Sequence, residues 1–97
     1  MVELSTLRVF LAAAEEKNFS QAARRLNMSQ SAVSQNIQAM EQAYKVELFL
    51  RRGRSVALSE AGESILPLAR EVLRSARLLE ASLQNLHTHE VGGDLLI

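Results

Sequence analysis

At 97 residues and 47% hydrophobic content, the chain is long enough for one globular domain and too short for two of ordinary size. The absence of cysteine excludes disulfides and thiolate zinc sites, and no apolar run or amino-terminal signal pattern directs it into or across a membrane, so a cytoplasmic protein is expected. The formal charge of +0 hides an asymmetry: residues 1–58 carry eight Lys or Arg against five Glu, a net +3, whereas residues 59–97 carry three Arg against six acids, a net −3. Such a division suggests that only the first part faces a polyanion.

The first predicted element is a helix over residues 4–16, which neither Gly nor Pro interrupts. Its apolar stripe is expected to contain Leu4, Leu7, Phe10, Leu11 and Ala14. The helix should act as a scaffold behind the elements that follow.

A shorter helix is predicted to begin with Ser20 as its N-cap, and Phe19 before the cap can pack onto it. Its apolar edge contains Ala22, Ala23 and Leu26. Asn27 should end it, because Asn tolerates the left-handed backbone conformation of a sharp turn. Ser29 is the expected N-cap of the next helix, so residues 19–38 are predicted to form a helix-turn-helix unit.

The helix after the turn has two different faces. Its apolar stripe, expected to be buried, contains Val33, Ile37, Met40 and Tyr44. A second face, the polar face, consists of Gln30, Ser31, Ser34, Gln35 and Gln38. Exposed helices usually carry Lys and Glu, whereas base edges in a major groove are read by Gln, Asn, Ser and Arg, and Gln can bind adenine through both amide groups. The pattern favours contacts with bases, while a solvated polar face without a partner also fits these residues alone.

A hairpin, the wing, is predicted over residues 46–58, which are rich in β-formers. Residues 48–52 and 55–58 would be its strands, which are short enough to need support from the helices. The strands meet at Gly53, and the arginines near the tip are Arg51, Arg52 and Arg54. Guanidinium groups without a neighbouring acid favour contact with phosphate or a minor groove over simple exposed charge.

These residues resemble the amino-terminal DNA-binding domain of the LysR-type bacterial transcriptional regulators. The matching positions are Leu7 to Phe10, Phe19 to Ala23, Leu26, Ser29 to Ser34, Ile37, Glu41, Leu48 to Arg51, Arg54 and Leu58 to Glu63. The resemblance covers nearly all of residues 2–90, in order and with the spacings of the family.

The resemblance implies a mainly α fold, a winged helix-turn-helix of three helices and a two-stranded wing, followed by a long linker helix that dimerises the protein. It places residues 1–58 in the DNA-binding domain and residues 59–90 in the linker helix. The helix after the turn would enter the major groove, and the wing would touch the adjacent backbone or minor groove. The backbone contacts would come from Ser20, Ser29, Arg51, Arg52 and Arg54.

Two positions depart from the pattern of the family. Lys45 stands where the family usually has Gly after the recognition helix, so the helix exit is expected to be strained or shifted by one residue. Gln35 stands where Arg is frequent, which predicts a changed base preference and weaker non-specific attraction to DNA.

The long helix is predicted from Ser59 as N-cap to about Thr88, with Glu60 and Glu63 at the positive end of its dipole. Pro67 lies inside it and is expected to bend its axis. The spacing of the apolar residues predicts a heptad seam for a second copy of the chain. The seam contains Ile65, Ala69, Val72, Ala76, Leu79, Leu83 and Leu86. At about 1.5 Å per residue, this helix should extend beyond its own domain.

His87 and His89 lack a third ligand nearby in sequence, so no metal site is expected. Residues 91–97 resemble the start of the family's effector-sensing domain. No cofactor is expected in this fragment, because a small-molecule effector would bind that absent domain.

The sequence therefore predicts a homodimer that binds an inverted-repeat operator in double-stranded DNA, with possible tetramers of the full-length regulator. Its half-sites would lie about one helical turn apart, roughly 34 Å, or a multiple of it. A helical dimerisation module whose polar face contacts protein is the main alternative. An enzyme and a winged-helix RNA binder are less favoured, since no nucleophile-base pair has recognisable context and an A-form major groove is too narrow for the helix.

Overall fold

The computed structural model describes the backbone of residues 1–91 and the side chains of residues 1–86. The predictions for His87, His89 and residues 92–97 lie outside these described parts. The elements in chain order are α1 (Leu4–Glu16), α2 (Phe19–Leu26), α3 (Gln30–Tyr44), β1 (Phe49–Arg52), β2 (Ser55–Leu58) and α4 (Glu60–Val91). Within residues 1–91, none of the helices combines the length and apolar character needed to cross a membrane.

Helix α1 has the predicted bounds, and its buried face is broader than the predicted stripe. Leu4 is 41% exposed, and the buried residues are Val9, Phe10, Ala12, Ala13 and Ala14. Phe10 and Ala14 are buried as predicted, and Leu7 and Leu11 are half-buried. The buried face also includes Val9, Ala12 and Ala13, because α1 contacts α2, α3, α4 and β2 and is covered around much of its circumference. Its small alanines allow these neighbours to approach closely.

The turn between α2 and α3 follows the predicted capping. Asn27 adopts the left-handed conformation at φ 61°, and the Ser29 side chain accepts a hydrogen bond from the Ala32 amide. The N-cap prediction for α2 was wrong, because Asn18 caps this helix by accepting from Gln21 at 2.9 Å. Ser20 lies inside the first turn, one residue after Phe19.

The core joins the helix-turn-helix to the wing through three aromatic rings. Phe49 packs edge-on against both Phe10 and Phe19, with ring centroids 5.6 Å apart in each pair. Fully buried Ile37 and Leu48 extend this core. Such edge contacts add about 0.5–1.5 kcal/mol each to the gain from burial. The wing is therefore held by the same core that holds the helices.

Helix α3 buries only part of the predicted stripe. Val33, Ile37 and Met40 are buried, but Tyr44 is 55% exposed. Tyr44 lies in the last turn, where it lines the rim of an open apolar groove between α1, α3 and α4. Lys45 follows in the left-handed conformation at φ 52°, which agrees with the strained helix exit expected from the sequence.

The wing is an antiparallel hairpin in which Phe49 pairs with Leu58 and Arg52 with Ser55. Two hydrogen bonds attach it to the turn between α1 and α2. The Val56 amide donates to the Lys17 carbonyl at 3.0 Å, and Asn18 Nδ2 donates to the Arg54 carbonyl at 3.3 Å. The left-handed turn after α1 therefore positions both α2 and the wing tip.

Helix α4 begins as predicted, with the Ser59 side chain accepting from the Gly62 amide at 3.0 Å. Its first half packs on the domain, where Ala69 and Leu73 are only 5% and 4% exposed. Ala69, predicted for the seam, is therefore buried within its own subunit, because α1 covers it. The molecule extends 57 Å along its longest axis and 24 and 19 Å across, as an overhanging helix requires.

Candidate nucleic-acid interface

The polar face of α3 is open to solvent. Gln30, Ser31, Gln35 and Gln38 are exposed, and Ser34 is half-buried. The opposite side of the helix is anchored in the core, so the structure holds these amides and hydroxyls on one rigid surface. They could donate to or accept from a ligand's polar edge without the loss of a buried contact.

The wing places three exposed arginines beside this helix. Arg51 lies with its guanidinium carbon 5.0 Å from the centre of the Phe19 ring, a cation–π contact that restrains the side chain. Arg52 and Arg54 lie at the hairpin tip, on either side of Gly53, which has φ 63°. Among the described side chains, none of these arginines forms an ion pair, so their charge is available to an anion.

A polar cleft of about 520 Å³ lies where α2, α3 and the wing converge. Its lining includes Ser20, Gln30, Arg51 and Arg54. The structure thus brings together one predicted base-contacting residue and three predicted backbone-contacting residues, which are far apart in the sequence. The cleft combines guanidinium groups with the amino-terminal end of α2, and both favour a negatively charged ligand.

The two serines predicted to contact the backbone have other partners within the protein. Ser29 is the N-cap of α3, and its Oγ lies 3.4 Å from Ser31 Oγ. Ser20 Oγ donates to Gln30 Oε1 at 2.9 Å. Both serines remain exposed, so either can still approach a phosphate.

Arg24 was missed by the sequence analysis. It lines a shallow groove with Ser20 and Gln30, and none of the residues that line this groove belongs to the wing. The available signal was the pair of arginines in the last turn of α2, but the sequence does not show which one is neutralised. The structure shows that Arg25 is, since it pairs with Glu15 at 2.9 Å and with Glu16 at 3.2 Å.

Glu15 links α1 to α2 and α4, because it also pairs with Arg70 at 3.2 Å. Burial raises the pKa of Glu15, but hydrogen bonds to Arg25 and Arg70 and their charges outweigh it, and the pKa lies below its usual value. The hydrogen bond to Glu15 raises the pKa of Arg25 in turn. This ion-pair cluster connects α1 and α2 to the first part of α4.

Comparison with known proteins shows the family to which this chain belongs. The bacterial regulatory helix-turn-helix protein, lysR family, matches residues 4–63, which include α1, the helix-turn-helix, the wing and the start of α4. The chain belongs to the LysR family. Relatives and a solved structure extend the match across most of its length.

Two LysR-family relatives are uncharacterised HTH-type transcriptional regulators. One, from the ibpB-leuC intergenic region of Azotobacter vinelandii, is 42% identical over 96 residues, with 99% of this chain and 66% of that protein aligned. The other, YnfL of Escherichia coli, is 44% identical over 91 residues, with 94% of this chain and 31% of that protein aligned. The chain therefore spans about two thirds and one third of these relatives.

A solved structure of the same architecture is the crystal structure of the CbnR DNA-binding domain in complex with DNA. It aligns with a TM-score of 0.80 and 33% identity over 87% of this chain and 97% of that chain. The similarity confirms the predicted winged helix-turn-helix fold.

Among the described residues, no cluster of His, Asp or Glu could hold a metal ion.

Proposed function

We propose that this LysR-family chain is the DNA-binding part of a cytoplasmic bacterial transcriptional regulator, and that it binds a specific double-stranded DNA sequence as a homodimer. The observation that carries the proposal is an uncharged hydrogen-bonding face on α3 next to unpaired wing arginines. An α-helix fits a major groove, where amides and hydroxyls can distinguish base pairs. The DNA complex of the similar CbnR domain supports the same ligand class.

The polar face and the wing would have separate roles in DNA binding. Gln30, Ser31, Ser34, Gln35 and Gln38 would contact base edges. Arg51, Arg52 and Arg54, with Ser20 and Ser29, would contact the sugar-phosphate backbone. Phosphate contacts set affinity and orientation, whereas base contacts set sequence preference. Residues 1–58 would thus form the reading domain and residues 59–90 the dimerising helix, and an effector would bind elsewhere in the full-length regulator.

The apolar surface of α4 supports a second copy of this chain as the partner. Val72, Leu79, Leu83 and Leu86 are 46–62% exposed and follow spacings of 7, 4 and 3, so they lie on one stripe. The stripe continues into the apolar groove rimmed by Tyr44 and Leu68, whose volume is about 300 Å³. A partner helix packed along this stripe would cover both features, as a symmetric dimer requires.

The test begins with a selection of preferred DNA duplexes from a random pool. Binding to preferred and random duplexes is then measured at several salt concentrations, which separates the roles of the polar face and the wing. Arg54→Ala should weaken binding to preferred and random duplexes alike, and should reduce the slope of log K against log salt by about 0.9. Gln30→Ala should lose about 1–3 kcal/mol mainly on the preferred duplex. The matched controls on α4, Arg74→Ala and Gln84→Ala, should change neither quantity.

Identical effects of Arg54→Ala and Gln30→Ala on preferred and random duplexes would contradict this division. A wild-type protein that retains no random duplex even at low salt would instead favour the protein-binding alternative.

The adjacent leucines Leu78 and Leu79 provide a matched test of the dimer. They are 56% and 62% exposed, but only Leu79 lies on the stripe, because one residue turns a helix by about 100°. Leu79→Glu should shift sedimentation from dimer to monomer, and Leu78→Glu should leave the dimer intact. A monomeric wild type, or equal effects of the two variants, would contradict the proposed seam.

A further inference from the structure

One hydrogen bond joins the two helices of the helix-turn-helix at the polar face. Ser20 Oγ, in the first turn of α2, donates to Oε1 of Gln30, the first residue of α3, at 2.9 Å. Among the described residues, the other two glutamines of this face, Gln35 and Gln38, have no side-chain hydrogen bond. Gln30 is therefore the glutamine of the face whose amide is held by the protein.

The surroundings of Gln30 orient its amide. Its side chain borders the cleft that also contains Arg51, Arg54 and the amino-terminal end of α2. Guanidinium charges and the positive end of a helix dipole attract the amide oxygen and repel the amino group. Together with the Ser20 hydroxyl, they favour an amide whose oxygen points toward α2 and whose N–H groups point outward.

We infer that Ser20 is a positioning residue that sets the base preference of Gln30. This inference rests on the proposed function and gives it a specific donor. With its oxygen engaged, Gln30 offers two N–H donors to the groove, which suit a base edge that carries acceptors, the N7 and O6 atoms of guanine. The two-point contact with adenine needs the amide oxygen to face the groove beside the amino group, so an oxygen turned toward α2 by Ser20 disfavours this contact.

Ser20 can be altered without removal of a helix cap. Asn18, not Ser20, accepts the capping hydrogen bond of α2, and Ser20 is exposed. Alanine is a strong helix former at such a position. Ser20→Ala therefore removes the hydroxyl with little effect on folding, and Ser20→Thr keeps a hydroxyl as the matched control.

The experiment compares duplex selections by wild type, Ser20→Ala, Ser20→Thr and Gln30→Ala. Gln30→Ala identifies the base pair read by Gln30 as the pair whose preference it relaxes, and wild type should prefer guanine there. Ser20→Ala should reduce the preference at that pair alone by roughly 2- to 12-fold, the range of one neutral hydrogen bond, and should raise the share of adenine. Ser20→Thr should restore guanine, and Ser20→Ala should cause no further change in base preference in the Gln30→Ala background, where the loss of its backbone contact would weaken all duplexes equally.

Several outcomes would overturn the inference while the proposed function stands. They are a wild-type preference for adenine at the Gln30 pair, an unchanged preference in Ser20→Ala, and an equal loss by Ser20→Ala on preferred and random duplexes. The last result would make Ser20 a backbone contact only. Failure of wild type to enrich any sequence would overturn the proposed function itself, and this inference with it.

Discussion

Glu41 connects α3 to the base of the wing, and its removal should destabilise the domain more than the loss of any exposed carboxylate. Its Oε2 accepts hydrogen bonds from the Leu48 amide at 2.8 Å and from the Phe49 amide at 3.2 Å. These two residues are 0% and 4% exposed. In Glu41→Ala, neither amide could therefore reach water unless the wing opened locally.

The magnitude follows from two hydrogen bonds to a charged acceptor. Each contributes about 1.5–3 kcal/mol, and the lower end applies because Glu41 is half-buried. The expected loss in the free energy of unfolding is thus about 3 kcal/mol. In a domain of this size each kcal/mol lowers Tm by about 4–8 °C, so Tm should fall by about 12–24 °C.

Thermal unfolding followed by circular dichroism measures this loss. All variants should be compared at one protein concentration, since the Tm of the proposed dimer would depend on it. Glu41→Gln keeps an acceptor oxygen and should lose about half as much. Glu47→Ala removes an exposed glutamate at the entrance to the wing and should change Tm little. A Glu41→Ala protein that lost no more stability than Glu47→Ala would show that these two hydrogen bonds do not stabilise the wing.

Three further substitutions test other parts of the fold. Lys45→Gly should raise the free energy of unfolding by about 1 kcal/mol, because Gly adopts the left-handed conformation of residue 45 without steric cost. Urea unfolding measures this gain, and the control Lys45→Ala should show none. Gly62→Ala should destabilise the domain by about 1–2 kcal/mol, although Ala normally stabilises a helix. The reason is that a Cβ at this position would collide with the backbone carbonyl of Leu48 and lie 2.7 Å from Leu58 Cδ2. An unchanged or higher Tm would contradict this expectation. The lowered pKa of Glu15 means that its ion pairs stabilise the fold above the ordinary carboxyl pKa and lose this effect as pH falls below it. Glu15→Gln should therefore flatten the acid side of the stability–pH curve by at most about 1 kcal/mol, since these pairs are solvent-screened, and an unaltered curve would contradict it.

Local patterns in the sequence predicted the positions of the helices and strands closely. Asn27 and Ser29 mark the turn because left-handed backbone and N-capping depend on one or two residues and their immediate neighbours. The choice between neighbouring caps depends on contacts that are distant in the sequence. Asn18 caps α2 instead of Ser20, since its side chain can also donate to the wing tip, a contact 36 residues away in sequence.

Periodicity and capping act over a few residues, so local patterns were enough to predict the elements, the polar face of α3 and the apolar stripe of α4. Which of these surfaces are covered depends on how the elements pack together. Tyr44 and Ala69 line the same groove, yet Tyr44 at the end of α3 is 55% exposed, whereas Ala69 is only 5% exposed because α4 packs on α1 there. Arg25 is neutralised while Arg24 remains open, because Glu15 approaches only the former. Charge, burial and orientation at the interface depend on residues that meet only after folding.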